Sequence, residues 1–320
     1  MKTKKIDGAV VLDFDKKRPW ETRPFIATKP REIISAAGSK YTISSTNQIL
    51  SKTEKFKGKL AFVGIPPQVQ SIRKLQQAKD PSIKNIKYVL GPFYGNSLHF
   101  SSVISLLKTY GVDDYHQIKS LRFREGDWPG YTQIILKSGQ IIKINKFYAN
   151  YLIPFHINKR SLLCTDFTNE FTDISGGDAW APKYEQRHQG FSLIISRSSQ
   201  GEKILQDMKK KNIIELKEIS IKEALEMHSH AYDLKKRGAF IRIKALKLLG
   251  KQTPNYGYEA KNFPLQRYLM EIIIDTIFLI GSTNLIRRIV EKINPQIMGK
   301  MFLSFRSVWK KITKNTKKVS

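Results

Sequence analysis

Apolar positions along the chain change period several times. Residues 6–12, Ile-Asp-Gly-Ala-Val-Val-Leu, form a short apolar run and predict a buried strand. A short helix is predicted over 28–37, opened by Thr28 and Pro30 and stopped by Gly38. Residues 59–65 predict a second strand, ending in a Gly-Ile-Pro-Pro turn. Over 68–78, Val69, Ile72 and Leu75 fall on one helical face. Residues 86–90 predict another strand, then a Gly-Pro break and a helix over 97–110. Strand, helix, strand, helix at these lengths predict βαβ units and a parallel sheet.

Beyond residue 119 the period falls to two. Residues 120–124, 132–136 and 140–145 predict short strands, the last two joined by Lys137-Ser138-Gly139. Residues 156–190 are polar and Gly-rich and predict an irregular segment, which inside a domain is more often functional than accidental. A strand at 191–196, a helix at 201–210 and a strand at 213–218 follow. A helix then starts at Ser220, with Ser220 and Glu223 spaced as a capping box. After about 231 the chain predicts helices only, interrupted at 250–264 and at Pro295. Ile286, Ile289, Val290 and Ile293 make one apolar stripe flanked by Arg287, Arg288 and Lys292. The expected fold is α/β (α+β), a mixed sheet flanked by helices, with a basic all-helical C-terminal extension. The expected divisions are 1–57, 58–230 and 231–320.

Composition narrows the chemistry. Of 320 residues 41% are hydrophobic, enough for a real core, and the single cysteine excludes a disulfide framework. The net charge of +29 demands an anionic counterpart: a polyanionic small molecule, an acidic partner, an anionic membrane face or nucleic acid. Nucleic acid fits least, because aromatics do not interleave with the basic residues. Residues 283–320 carry ten Lys/Arg and one Glu, which suits docking to anionic lipid or an acidic protein, or a plain solvated face. Asp7, Asp13 and Asp15 interrupt the N-terminal apolar stretch, so it does not read as a signal peptide. Residues 268–280 are shorter than the roughly 20 apolar residues of a spanning helix and include Glu271 and Asp275. A cytoplasmic protein, peripheral at a membrane if the tail docks, is the expectation. The six histidines show no metal spacing, His228 and His230 lying two apart, so no metal is expected. No nucleophile elbow occurs.

Three segments carry candidate chemistry. The richest is Cys-Thr-Asp-Phe-Thr-Asn-Glu-Phe-Thr-Asp-Ile-Ser-Gly-Gly-Asp-Ala-Trp at 164–180. Its paired glycines let backbone approach an anion or a flat ring, and its carboxylates can hold sugar hydroxyls or a ring N–H. The plainer alternative is a polar loop of caps and turns. The turn at Gly64-Ile65-Pro66-Pro67-Gln68 follows a strand and opens a helix, where α/β sheets bind ligands, but it lacks dinucleotide or P-loop spacing. Trp128-Pro129-Gly130-Tyr131 could stack on a planar ring or simply plug the core.

Together with Gly38-Ser39-Lys40-Tyr41 and Leu90-Gly91-Pro92-Phe93-Tyr94-Gly95, these motifs resemble the coenzyme F420 hydrogenase/dehydrogenase beta subunit family over about 6–230. The resemblance implies a flavoprotein, with FAD rather than FMN, that passes hydride between coenzyme F420 and the flavin. It also implies a partner redox subunit or a homo-oligomer. It carries over Ser39, Lys40, Gly64, Gln68, Thr168, Asn169, Asp173, Gly177 and Asp178 as flavin-site residues, and names no catalytic side chain. Where the family places cysteines, this chain has Pro67, Tyr94 and Ser161, leaving only Cys164. One thiolate cannot hold a cluster that needs about four ligands, so no iron–sulfur cluster is expected. The family's Gly-Gly segment ahead of the first strand is missing here, which implies a misplaced gene start, another chain that supplies the segment, or weaker flavin binding. The alternative is a non-catalytic scaffold or docking subunit that keeps the fold.

Overall fold

The computed structural model describes residues 1, 3–185 and 189–314. Two sheets organise it. In the first, β1 (Gly8–Phe14), β3 (Leu60–Val63), β4 (Ile86–Pro92) and β8 (Ile174–Asp178) run parallel. Antiparallel edges are added by β2 (Thr22–Ala27) beside β1 and by β9 (Ser192–Ser196) beside β8. In the second, β5 (Ile118–Glu125), β6 (Tyr131–Leu136) and β7 (Ile141–Asn145) form an antiparallel meander.

The near-continuous apolar runs of β1 and β3 reflect burial on both faces. Val10, Leu60, Phe62 and Val89 pack with Val69 and Ile72 of the helix Pro66–Gln77. On the other face Ala9, Val11 and Ala61 meet Ile33 of the helix Pro30–Ser35. A separate core joins the meander to the helix Ser101–Lys108, through Leu107, Ile118, Ile134 and Ile142. Each such Val, Leu, Ile or Phe side chain, fully buried, contributes about 1.5–3 kcal/mol.

One strand is added and three local expectations are revised. The strand β2 carries Pro24, which an edge strand tolerates because its unpaired side needs no donor. The segment 156–190 is not wholly irregular: Ile-Ser-Gly-Gly-Asp pairs with β4 on one side and β9 on the other. Glycine weakens a strand in isolation, but here it admits close neighbours. Residues 213–218 form no strand, and Ile213 is 60% exposed; alternation without a ladder partner is not enough. Ser220 Oγ accepts from the Glu223 N–H at 3.1 Å, but the Glu223 carboxylate turns away to Lys183 and Tyr184, so the capping box is half formed.

The helix Ile221–Asp233 continues through a π turn, Leu234–Gly238, into the helix Ala239–Leu248. The helices Leu265–Gly281, Asn284–Val290 and Pro295–Ile312 follow. An ion network ties them together: fully buried Arg267 pairs with Asp233 and Glu271, and Arg242 with Glu271 and Asp275. Phe278, Ile286, Met298 and Phe302 pack against the meander core. The basic tail assigned to 283–320 lies outside the described residues from 315 onward.

Candidate functional site

Beyond the carboxyl ends of β4 and β8 a cleft of about 1870 Å³ opens, the place where open α/β sheets bind ligands. Strand β4 runs out into Pro92 and Phe93, and β8 supplies Gly176, Gly177 and Asp178. The loop before β3 contributes Ser39 and Tyr41, and the meander and the turn after it contribute Arg124, Lys146 and Phe147. The helix Ile221–Asp233 closes one side with His228, and the helix Pro295–Ile312 adds Arg306 and Lys310. A smaller pocket of about 170 Å³ behind Tyr41 and Lys146 is largely apolar.

The carried-over residues divide into two groups. Ser39, Gly177 and Asp178 line the cleft. Asp178 is held by Arg124 Nη1 at 2.8 Å and by Trp128 Nε1 at 2.9 Å. Trp128 packs on Trp180 with centroids 5.1 Å apart, and so acts as a buttress to the wall. A Cβ at Gly177 would sit 2.5 Å from the Phe93 ring, so only glycine lets that ring lie against β8.

The other six form the frame behind the cleft. Asp173 is 2% exposed: Oδ2 accepts from the Val89 N–H at 2.7 Å, and Oδ1 from Ser198 and Gln200, with Arg73 at 3.4 Å. Asn169 is fully buried with φ +60°, and its Nδ2 donates to the Gly64 carbonyl at 2.8 Å. Thr168 Oγ1 accepts from Arg197. Gln68 spans from the Ile65 N–H to the Ser44 carbonyl, fixing the turn. Lys40 faces the Ala36 carbonyl and Asp13, and burial lowers its pKa.

Three cleft residues carry no sequence signal. Lys146 lies 5.5–5.8 Å from the ring centroids of Tyr41, Phe147 and Trp180 and pairs with no carboxylate among the described residues. Burial, helped by Arg124, lowers its pKa to about 8. Arg306 is likewise unpaired among the described residues, and burial alone lowers its pKa. Nothing adjacent in sequence marks either residue, because residues 124, 146 and 306 meet only in space. His228, which has no metal-ligand spacing, packs on Phe93 and Phe167 with centroids 5.4 and 5.2 Å away. Its ring hydrogen-bonds the Asp178 main chain, burial keeps it neutral, and Nε2 is buried without a partner. The cleft thus offers aromatic walls, an orphaned polar atom and unneutralised cations, which suits a planar anionic ligand.

Behind the loop at Cys164, three of the four positions where the resemblance expects cysteines, Tyr94, Ser161 and Cys164, lie beside a buried ammonium, while Pro67 is exposed. Lys235 Nζ donates to the Ser161 carbonyl at 2.7 Å and lies 4.5 Å from the Tyr94 ring centroid. Burial lowers its pKa to about 8 and raises that of the Cys164 thiol. Arg242 and Tyr256 cap the carbonyls of Leu162 and Leu163.

Residues 57–222 match the family model for the C-terminal part of the coenzyme F420 hydrogenase/dehydrogenase beta subunit, and residues 1–51 match the model for its N-terminal part. The chain belongs to the coenzyme F420 hydrogenase/dehydrogenase beta subunit family. Among the family's proteins, the coenzyme F420 hydrogenase subunit beta of Methanococcus voltae is 27% identical over 233 residues, 71% of this chain and 77% of that protein. The coenzyme F420-dependent sulfite reductase of Methanocaldococcus jannaschii is 26% identical over 228 residues, 67% of this chain. The chain spans about a third, 32%, of that reductase. A chain of the F420-reducing NiFe hydrogenase complex from Methanosarcina barkeri superposes with a TM-score of 0.58 at 19% identity, covering 79% of this chain and 84% of the other, a likeness of fold. The family models end at residue 222, so most of the helical part lies beyond them.

Proposed function

We propose that this protein is an F420-linked oxidoreductase subunit that holds a flavin in the cleft and passes hydride between it and coenzyme F420. One observation carries the reading: the cleft at the ends of β4 and β8 combines aromatic walls, the orphaned His228 Nε2, and the unpaired Lys146 and Arg306. Coenzyme F420 bears a phosphodiester and a polyglutamate tail, so cations left unneutralised inside a +29 protein favour it. Both ring systems, when bound, supply the hydride chemistry. The chain's residues orient: Gly177 and Phe93 form a flat wall, Ser39 and Asp178 offer polar contacts, and His228 accepts from a ring N–H. Lys40, Gly64, Gln68, Thr168, Asn169 and Asp173 hold the frame against which that wall is built. No side chain is assigned as acid or base.

The residues around Cys164 do not fit an iron–sulfur cluster, since one thiol and a buried ammonium occupy the place. A partner redox subunit would then take electrons onward, in keeping with the hydrogenase complex to which the similar Methanosarcina barkeri chain belongs. That same Lys235 plug favours the second reading, a non-catalytic subunit that retains the fold.

Titration of the purified chain with FAD, FMN and F420, followed by fluorescence, separates the two. Micromolar FAD binding that is weakened in His228→Ala, with F420 binding weakened in Lys146→Met, supports the enzyme. A folded protein that binds neither flavin nor F420 overturns it in favour of the second reading.

A further inference from the structure

The helices beyond residue 264 have two unlike faces. In Leu265–Gly281 the inner face carries Arg267 and Glu271 of the ion network and Phe278 of the meander core. The outer face shows Leu265, Leu269, Ile272 and Leu279, 53–74% exposed and spaced as one stripe with no charge in it. In Pro295–Ile312, Met298 and Phe302 turn inward, while Met301, Phe305, Val308 and Ile312 are 53–72% exposed at spacings of four, three and four. Of the 24 large hydrophobic residues exposed among the described residues, 13 lie between 265 and 312. So dense a display is a surface awaiting a partner.

The charges say which partner. The three acids of this part are all engaged: Glu271 and Asp275 pair with Arg242, and Glu291 with Ser105 and Lys108. The cations face outward. Arg288, Lys292, Lys300 and Lys311 are exposed and pair with no carboxylate among the described residues. Protein interfaces are depleted in lysine, whereas helices lying in a lipid interface frame an apolar stripe with it. No single described helix is long and apolar enough to cross a membrane. The pair Leu265–Gly281 and Asn284–Val290 bends by 77°, and its inner faces are committed to protein, so it suits lying in the interface and not spanning it.

We infer that the helices beyond residue 264 form an interfacial platform that docks this protein on an anionic membrane surface. The apolar stripes enter the acyl boundary while the lysines meet anionic headgroups. The docked helix Pro295–Ile312 is also the one that carries Arg306 and Lys310 into the cleft, so docking fixes one wall of the site.

The test uses the full chain and vesicles. Co-sedimentation is measured with phosphatidylcholine alone and with phosphatidylcholine containing phosphatidylglycerol. Binding to the anionic vesicles is expected to be at least about tenfold tighter and to weaken at high salt. The double variant Met301→Glu/Phe305→Glu, its circular dichroism and melting unchanged, should lose at least about tenfold in vesicle affinity, and Lys300→Glu/Lys311→Glu should also weaken it. Failure of the folded protein to bind anionic vesicles, or binding indifferent to both variants, overturns the inference. A stable dimer that Met301→Glu/Phe305→Glu dissolves, without vesicle binding, assigns the face to self-association and also overturns it.

Discussion

Two walls of one cleft use charge in opposite ways. On the β8 side the carboxylates are spent: Asp173 takes bonds from Val89, Ser198 and Gln200, and Asp178 takes Arg124 and Trp128. On the side built by the meander and the last helix, Lys146 and Arg306 lose hydration to burial and, although Asp178 attracts Lys146, gain no paired counter-ion among the described residues. A satisfied buried charge specifies shape. An unsatisfied one is a cost that the fold carries without structural return, and such costs are commonly functional. The acid-rich segment mostly builds the frame, and the unpaired charge of the cleft sits with the cations.

Four experiments break or sharpen that contrast. Asp173→Ala should cost the most, about 3–5 kcal/mol of stability, because it strands the buried Val89 N–H and removes the acceptor of Ser198 and Gln200 at once. Denaturant unfolding reads it, and a loss under about 1 kcal/mol would mean the frame role is misassigned. Gly91→Ala comes next. The added Cβ would collide with Asn169 and the Gly64 carbonyl, so a loss of about 1–3 kcal/mol is expected by the same measurement.

Lys146→Met should do the reverse. Stability holds or rises, while affinity for an anionic ligand such as F420 falls about tenfold, near 1.4 kcal/mol. Parallel losses in both would dissolve the distinction between the walls. The smallest effect is in pH. The folded-state pKa of Lys146, about 8, lies below the ordinary 10.5, so the folded state releases its proton first. Its burial cost is therefore relieved, and stability gained, as pH rises from about 8 to 10.5, while anion affinity declines through about 8. Lys235 contributes to the stability gain in the same direction. Guanidinium groups keep their charge over this range, so the affinity change is partial, and in Lys146→Met the inflection should vanish from a binding-versus-pH titration.

Much of the fold was legible because local pattern and burial agree there. Buried on both faces, β1 and β3 carry apolar runs, and the meander alternates as a half-buried sheet must. Where they disagree the pattern is silent. In β8 the ladder partners β4 and β9 hold the strand while Gly177 admits the Phe93 ring, so Ile-Ser-Gly-Gly-Asp carries no local strand signal. The site was legible in the same uneven way. Motif resemblance led to Ser39, Gly177 and Asp178 on the cleft, but it could not separate them from Gln68, Asn169 and Asp173 one layer behind.

By itself the sequence determined the family, the mixed α/β architecture, the excess of positive charge and the single thiol, since each is written in residue types and short-range spacing. The tertiary structure alone decided which charges find partners. Pairing depends on distances between residues far apart in the chain: Lys235 beside Ser161, Asp178 beside Arg124, and Lys146 near Arg306 without an acid paired to either. An ion's energy is set by what surrounds it after folding, and no one-dimensional pattern records that.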